Sequence, residues 1–169
     1  MMDDSEFNQV FAIMKASFPE SERRTYTGQK ELLSEPYYRL ITEKDGSNKI
    51  IAFVAVWEFP AFRFVEHIAV DPDVRGSGLG GQLMKALLEE SRKPVLLEVE
   101  PPDTDLAQRR VDFYKRLGFQ LNHFDYVQPP LQTGQPDLPL NIMSYPEPLT
   151  DAVFSAYKDT MYTHVYKVN

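Results

Sequence analysis

Glycines crowd one short stretch of this chain: Gly76, Gly78, Gly80 and Gly81 fall within six residues. They lie between a β-branched, aromatic run at 64–70 and an apolar stripe of Leu79, Leu83, Met84, Leu87 and Leu88 at helical spacing. A strand, a glycine turn and a helix in that order constrain the fold, because the next strand, 95–99, is then reached by a crossover and runs parallel to the first. Glycine costs about 0.5–1 kcal/mol relative to alanine in regular structure, so four together imply a turn that needs positive φ or close approach to another group. Successive N–H groups at the start of a helix converge on an anion, which makes the turn a candidate phosphate cradle. A tight turn without a ligand is the plainer alternative.

The remaining elements fit around that unit. Phe7, Val10, Phe11, Met14 and Phe18 recur at helical spacing behind Asp3, Asp4 and Ser5, which predicts an opening amphipathic helix. Residues 19–26 read as a polar loop, and Thr27 as the cap of a short helix bearing Leu32 and Leu33. Strands at 37–43 and 50–59 flank Asp45-Gly46, a hairpin signal, and should pair antiparallel. After strand 95–99, Pro101-Pro102-Asp103 turns the chain into a helix at 106–117 that Gly118 ends. A long strand at 119–127 and another at 141–145 flank a Pro- and Gly-rich loop at 129–139. From Leu149 onward, Phe154, Tyr157, Met161 and Val165 share a helical face expected to pack on the domain or, in a homodimer, on a second subunit. No repeat or linker appears, so residues 1–169 read as a single α/β domain with a mixed sheet.

Composition removes several function classes. A chain of 169 residues, 43% of them hydrophobic, buries a core without metal or disulfide staples. The absence of cysteine excludes disulfides, thiolate metal sites and a cysteine nucleophile. The acidic start lacks a signal-peptide pattern and no apolar run reaches the ~20 residues that span a bilayer, so the expectation is a soluble cytoplasmic protein without membrane partners. A formal charge of −7 disfavours nonspecific nucleic-acid binding and modestly favours a cationic partner.

Taken alone, Gly76-Ser77-Gly78-Leu79-Gly80-Gly81 also satisfies the dinucleotide pattern Gly-x-Gly-x-x-Gly, with Glu98 and Glu100 at about the distance of a ribose-binding acid. Against an NAD-binding oxidoreductase, Asp71-Pro72-Asp73-Val74-Arg75 intervenes between strand and first glycine, and only one parallel unit is visible. The longer stretch Glu66-His67-Ile68-Ala69-Val70-Asp71-Pro72-Asp73-Val74-Arg75-Gly76-Ser77-Gly78-Leu79-Gly80 resembles the acetyl-CoA signature of the GNAT superfamily of acetyltransferases, with Arg75, Gly78 and Gly80 on its Arg/Gln-x-x-Gly-x-Gly/Ala core. Phe113-Tyr114-Lys115-Arg116-Leu117-Gly118-Phe119 is similar to that family's second motif, at the expected remove. The resemblance covers residues 50–119. It departs at Ala107 and Arg110, where many members carry Asn and Ala, and in lacking a strand before the first helix.

What the resemblance implies is an N-acetyltransferase that passes an acetyl group from acetyl-CoA to a primary amine, by direct attack in a ternary complex. Its mixed sheet would splay between two central parallel strands to admit the pantetheine arm. Ile68, Ala69 and Val70 would bond that arm through their main chain, and the amides of Arg75, Gly76, Ser77, Gly78, Leu79, Gly80 and Gly81 would hold the pyrophosphate. Charge-assisted hydrogen bonds of this kind contribute roughly 1.5–3 kcal/mol each. Arg109 and Arg110 either add charge there or are solvated.

The chemistry needs a proton acceptor, because an alkylammonium of pKa ~10.4 must be deprotonated before it attacks, and a donor for the leaving sulfur. Tyr114 stands at the family's donor position, and Glu66 where some relatives place the acceptor. Strand alternation puts His67 on the face opposite Glu66 unless a bulge intervenes, and it reads as a partly buried imidazole. Glu98, His123 and Tyr126 are further candidates on neighbouring strands. A small-molecule or peptide amine would bind between the loops at 22–26 and 129–139. The alternative in another class is a noncatalytic acyl-CoA sensor that keeps the cradle.

Overall fold

The computed structural model describes residues 2–168. Helix α1 (Asp4–Ser17) opens with a capping box, in which the Asp3 carboxylate accepts from the Glu6 N–H at 2.8 Å and Glu6 accepts from the Asp3 N–H. Helix α2 (Tyr26–Glu31) is capped by Thr25 rather than Thr27: Thr25 Oγ1 accepts from the Gly28 N–H at 3.1 Å, which leaves Thr27 inside the first turn. Strands β1 (Tyr38–Lys44) and β2 (Ile50–Glu58) form the expected antiparallel hairpin, its turn fixed by the Asp45 carboxylate accepting from the N–H groups of Ser47 and Lys49.

The crossover unit comes next as β3 (Arg63–Val70), α3 (Leu79–Glu90) and β4 (Val95–Val99), then α4 (Asp105–Arg116) and β5 (Gln120–Asn122). A short ribbon of β6 (Val127–Gln128) and β7 (Leu138–Pro139) precedes β8 (Asn141–Tyr145) and α5 (Asp151–His164). The main sheet has six strands in the order β1-β2-β3-β4-β8-β5. Its parallel part is a single pair, β3 with β4, because β8 inserts between β4 and β5 and runs antiparallel to both.

The long strand expected at 119–127 is broken after Asn122. That buried side chain donates to the Ile142 carbonyl at 3.2 Å and to Ser144 Oγ at 2.9 Å, and accepts from the Leu149 N–H at 2.9 Å. These bonds tie the end of β5 to the approach to α5, and the chain then leaves the sheet. Part of the segment expected as a loop at 129–139 is therefore strand, since β7 lies within it.

Helices cover both faces of the sheet. On one side Phe7 and Met14 of α1 and Phe154 and Met161 of α5 pack with Phe53 and Trp57. On the other, Met84 and Leu87 of α3 and Val111 of α4 pack with Val54, Val56 and Met143. Each large apolar side chain so buried contributes about 1.5–3 kcal/mol. The stripe on α5 is satisfied within its own chain. Among the described residues no helix is long and apolar enough to cross a membrane.

Two irregularities open and line the middle of the sheet. β3 and β4 pair only over Arg63 to Val65 with Val95 to Leu97; β3 then runs on to Val70 without its parallel neighbour, so main-chain groups on that edge have no ladder partner among the described residues. Between β2 and β3, Ala55 faces His67 while Val56 faces Val65, which makes Glu66 the extra residue of a β-bulge.

Candidate active site

A cavity of about 480 Å³ opens where β3 and β4 part, with Ile68, Ala69 and Val70 along one wall and Leu97, Glu98 and Val99 along the other. A smaller hollow of about 270 Å³ adjoins it, bounded by Arg75, Gly76, Ser77, Gly78, Leu79, Gly80 and Gly81. Val70, Arg75, Gly80 and Phe113 line both, so the two spaces meet. Every residue expected to contact the cofactor falls on this pair of spaces.

The local geometry explains the glycines. Gly76 and Gly78 have φ of +88° and +79°, which L side chains rarely adopt. Gly78 caps α3, and among the described residues no side chain caps the first amides of the helix, which border the hollow. A Cβ added at Gly80 or Gly81 would meet Val70 or Phe113 only at ordinary contact distance, so their smallness keeps the surface open rather than relieving a clash. Arg75 leans across the turn, with Nη2 donating to Ser17 Oγ at 2.9 Å. Uncapped amides, a guanidinium and a free strand edge fit a pyrophosphate followed by an amide-bearing arm. They do not fit a dinucleotide fold, because a 3-10 turn at Pro72–Val74 separates strand from cradle and only one parallel pair exists among the described strands.

The bulge turns Glu66 and His67 onto the same face, toward α1 and α5. Glu66, whose side chain is 2% exposed, is held at both oxygens: Arg24 Nη1 donates to Oε2 at 2.8 Å and Trp57 Nε1 to Oε1 at 2.9 Å. Burial alone would raise its pKa, but the charge of Arg24 and the hydrogen bonds from Arg24 and Trp57 hold it below the ordinary carboxylate range. His67 is 4% exposed and lies with Nε2 at 2.8 Å from the Glu22 carbonyl and its ring against Phe18. Burial lowers its pKa, which keeps the ring neutral at pH 7, and Nδ1 has no partner among the described residues.

Glu98 has a different environment. It projects from β4 into the cavity wall, where Tyr166 donates to Oε1 and Oε2 at 2.7 and 2.8 Å and Tyr126 donates to Oε2. Burial is the largest influence and lifts its pKa to about 7, against the opposing pull of the two phenols. Tyr114 reaches the same cavity from α4, its ring edge-on to Phe113 and Phe119. Burial pushes its phenol up to about 12, and only the charge of Arg110 pulls the other way.

The other candidates separate clearly. Tyr126 is buried and serves as a donor to Glu98, whereas His123 is exposed and outside the cavity. Arg109 and Arg110 line the cavity, and Arg110 pairs with Glu100 at 3.4 Å. Ala107 is buried in the first turn of α4. Sequence reasoning missed Arg24 and Tyr166. A lone arginine in a polar loop carries no spacing signal, and Tyr166 falls off the i, i+3, i+4 stripe that identifies α5.

Comparison with known proteins agrees with this geometry. Residues 36–121 match the acetyltransferase (GNAT) domain family. The YjbC protein of Bacillus subtilis (strain 168) is 37% identical over 113 residues, 66% of this chain, which spans only 54% of that protein's length. The structure of a GNAT-family protein of Bacteroides thetaiotaomicron superposes with a TM-score of 0.89 at 30% identity, over 98% of this chain and 94% of that one. At the level of fold alone, spermidine N-acetyltransferase from Vibrio cholerae, in complex with CoA and spermine, gives a TM-score of 0.61 at 13% identity, over 85% and 90% of the two chains. The family match spans the strand, glycine turn and helices that build the cavity, and near-complete superposition accompanies it: the chain belongs to the GNAT superfamily of acetyltransferases.

Proposed function

We propose that this protein transfers an acetyl group from acetyl-CoA to a primary amine, by direct attack within a ternary complex. One observation carries the reading: Glu98 from β4 and Tyr114 from α4 line a single cavity that meets the glycine cradle. When bound, the cofactor supplies an acetyl thioester, its pyrophosphate suited to the amides from Gly76 to Gly81 with Arg75 adding charge, and its arm to the free edge at Ile68, Ala69 and Val70.

Glu98 takes the amine proton at its carboxylate, directly or through water. A carboxyl titrating at about 7 suits a working pH near neutrality, where half the molecules present a base. Tyr114 Oη donates to the departing sulfur. A phenol held at about 12 is too weak an acid to protonate a thiolate of pKa ~8.5 in advance, so donation accompanies bond cleavage. Glu66, locked to Arg24 and Trp57, is a poor acceptor at neutral pH, and in this reading it buttresses the site and raises Glu98 through its charge. With Glu66 paired to Arg24 and Glu100 to Arg110, Glu22 and Glu98 are the cavity carboxyls left to favour a cationic acceptor, such as a polyamine or a peptide amine.

Acetyl-CoA supplied with a panel of polyamines, amino acids, peptides and aminoglycosides tests the proposal through release of free thiol. Turnover with at least one amine is expected. Tight binding of acetyl-CoA with no thiol release from any member would identify a sensor instead.

A further inference from the structure

Glu98 does not hold its own position. β4 brings it to the cavity wall, but its carboxylate is fixed by hydroxyls from outside the sheet. Tyr166, which follows α5 and is 6% exposed, bonds both oxygens; Tyr126, between β5 and β6, bonds one. The residue beside Tyr166 grips the other carboxylate indirectly: the Val165 carbonyl accepts from Arg24 Nη2 at 3.0 Å, and Arg24 Nη1 pairs with Glu66. Two consecutive residues beyond α5 therefore anchor both acidic side chains at the back of the cavity.

Resting on the reading of Glu98 as proton acceptor, we infer that Tyr166 is a positioning residue for acetyl transfer, whose hydroxyl bridges both Glu98 oxygens and holds the carboxylate toward the cavity. The segment after α5 is then part of the active site. A donor shared by both oxygens of a carboxylate favours its charged form, so deleting that donor leaves the effect of burial less opposed. The groups facing Glu98 come from several elements: Tyr126 and Tyr166 as donors, Glu66 on β3 raising its proton affinity, and Arg24 before α2 lowering it. Tyr114 on α4, Glu100 after β4 and Glu22 before α2 line the same cavity. Among the described residues only the two phenols hydrogen-bond the carboxylate, so removal of either acts on it directly.

Carbon-13 NMR of the glutamate carboxyl groups in the full chain, with Glu98 assigned by Glu98→Gln, reads the titration without an acceptor present. Tyr166→Phe should raise the Glu98 midpoint by about one pH unit. The acid limb of kcat/KM, measured by thiol release with the most active amine of the panel, should move with it. The loss at pH 7 should be about five-fold, with acetyl-CoA affinity unchanged. Tyr166→3-fluorotyrosine strengthens the donor at nearly constant shape and should move midpoint and limb downward. Tyr162→Phe deletes a nearby hydroxyl that bonds the Val127 carbonyl and should move neither. A midpoint unmoved by both changes at Tyr166 overturns the inference and leaves the role of Glu98 intact. A midpoint that moves while the rate profile stays fixed removes Glu98 as the acceptor, and with it the reading on which the inference rests.

Discussion

Replacing Tyr114 by phenylalanine deletes one hydroxyl and keeps the ring against Phe113 and Phe119. Folding and acetyl-CoA affinity should barely change, while turnover falls about 10²–10⁴-fold with little effect on acceptor KM. Full activity in that variant, on a preparation whose cofactor titration matches the parent's, would end the donor role. Glu66→Gln belongs to a different class of change, because it leaves the Arg24 charge, whose side chain is 9% exposed, without its counterion. Breaking a buried pair from one side costs about 3–5 kcal/mol. Urea unfolding should record that loss while the folded fraction keeps most of its turnover; a stable but inactive variant would return Glu66 to the chemistry. Tyr114 was legible because the second motif carries it at a fixed place. Arg24 was not, since burial is what separates a structural arginine from a solvated one, and burial is a tertiary property.

Among elements, the strand, glycine turn and helix were legible from composition and order alone, because the backbone conformations they need admit few residues. Gly78→Asp tests the turn. It places a Cβ at φ +79° and a carboxylate where amides border the hollow, yet a Cβ there meets nothing within 4 Å. Calorimetry should find acetyl-CoA binding abolished in a protein that still melts cooperatively; unchanged affinity would remove the cradle from the binding site. The stretch after α4 was misread for a physical reason. Phe119, Leu121, Phe124, Tyr126 and Val127 have the residue types of a strand, but Phe124 stacks on Phe154 of α5 at 4.3 Å and Tyr126 turns to Glu98. Contacts with α5 and the cavity outweigh local β preference, which is weak when neighbours compete for the side chains.

At the scale of the whole molecule, two of the carboxyls at the cavity, Glu66 and Glu98, act on stability with opposite sign. Glu98 has an ordinary value of 4.5 when unfolded and about 7 when folded, so between those values the folded chain keeps a proton that the unfolded chain has lost. Its contribution is complete below about 4.5, is lost as pH rises to about 7, and stays lost above. Glu66, lowered on folding, contributes above the ordinary carboxylate range and loses that contribution as pH falls through it. Melting temperature should therefore decline between pH 5 and 8, and Glu98→Gln should flatten the decline by roughly 5 °C. An unaltered slope would mean that Glu98 does not titrate in that window. The surplus residue in β3 has a reach of its own. A strand is a text read two letters at a time, and one inserted letter reverses the parity of every letter after it: beyond Glu66, Ile68 and Val70 are assigned to the α3 side and Ala69 to the α1 side, and the outward amides change hands in the same stroke. Straightening the strand with every letter kept would leave composition and cradle untouched while presenting a visiting molecule with the other half of the strand's peptide groups.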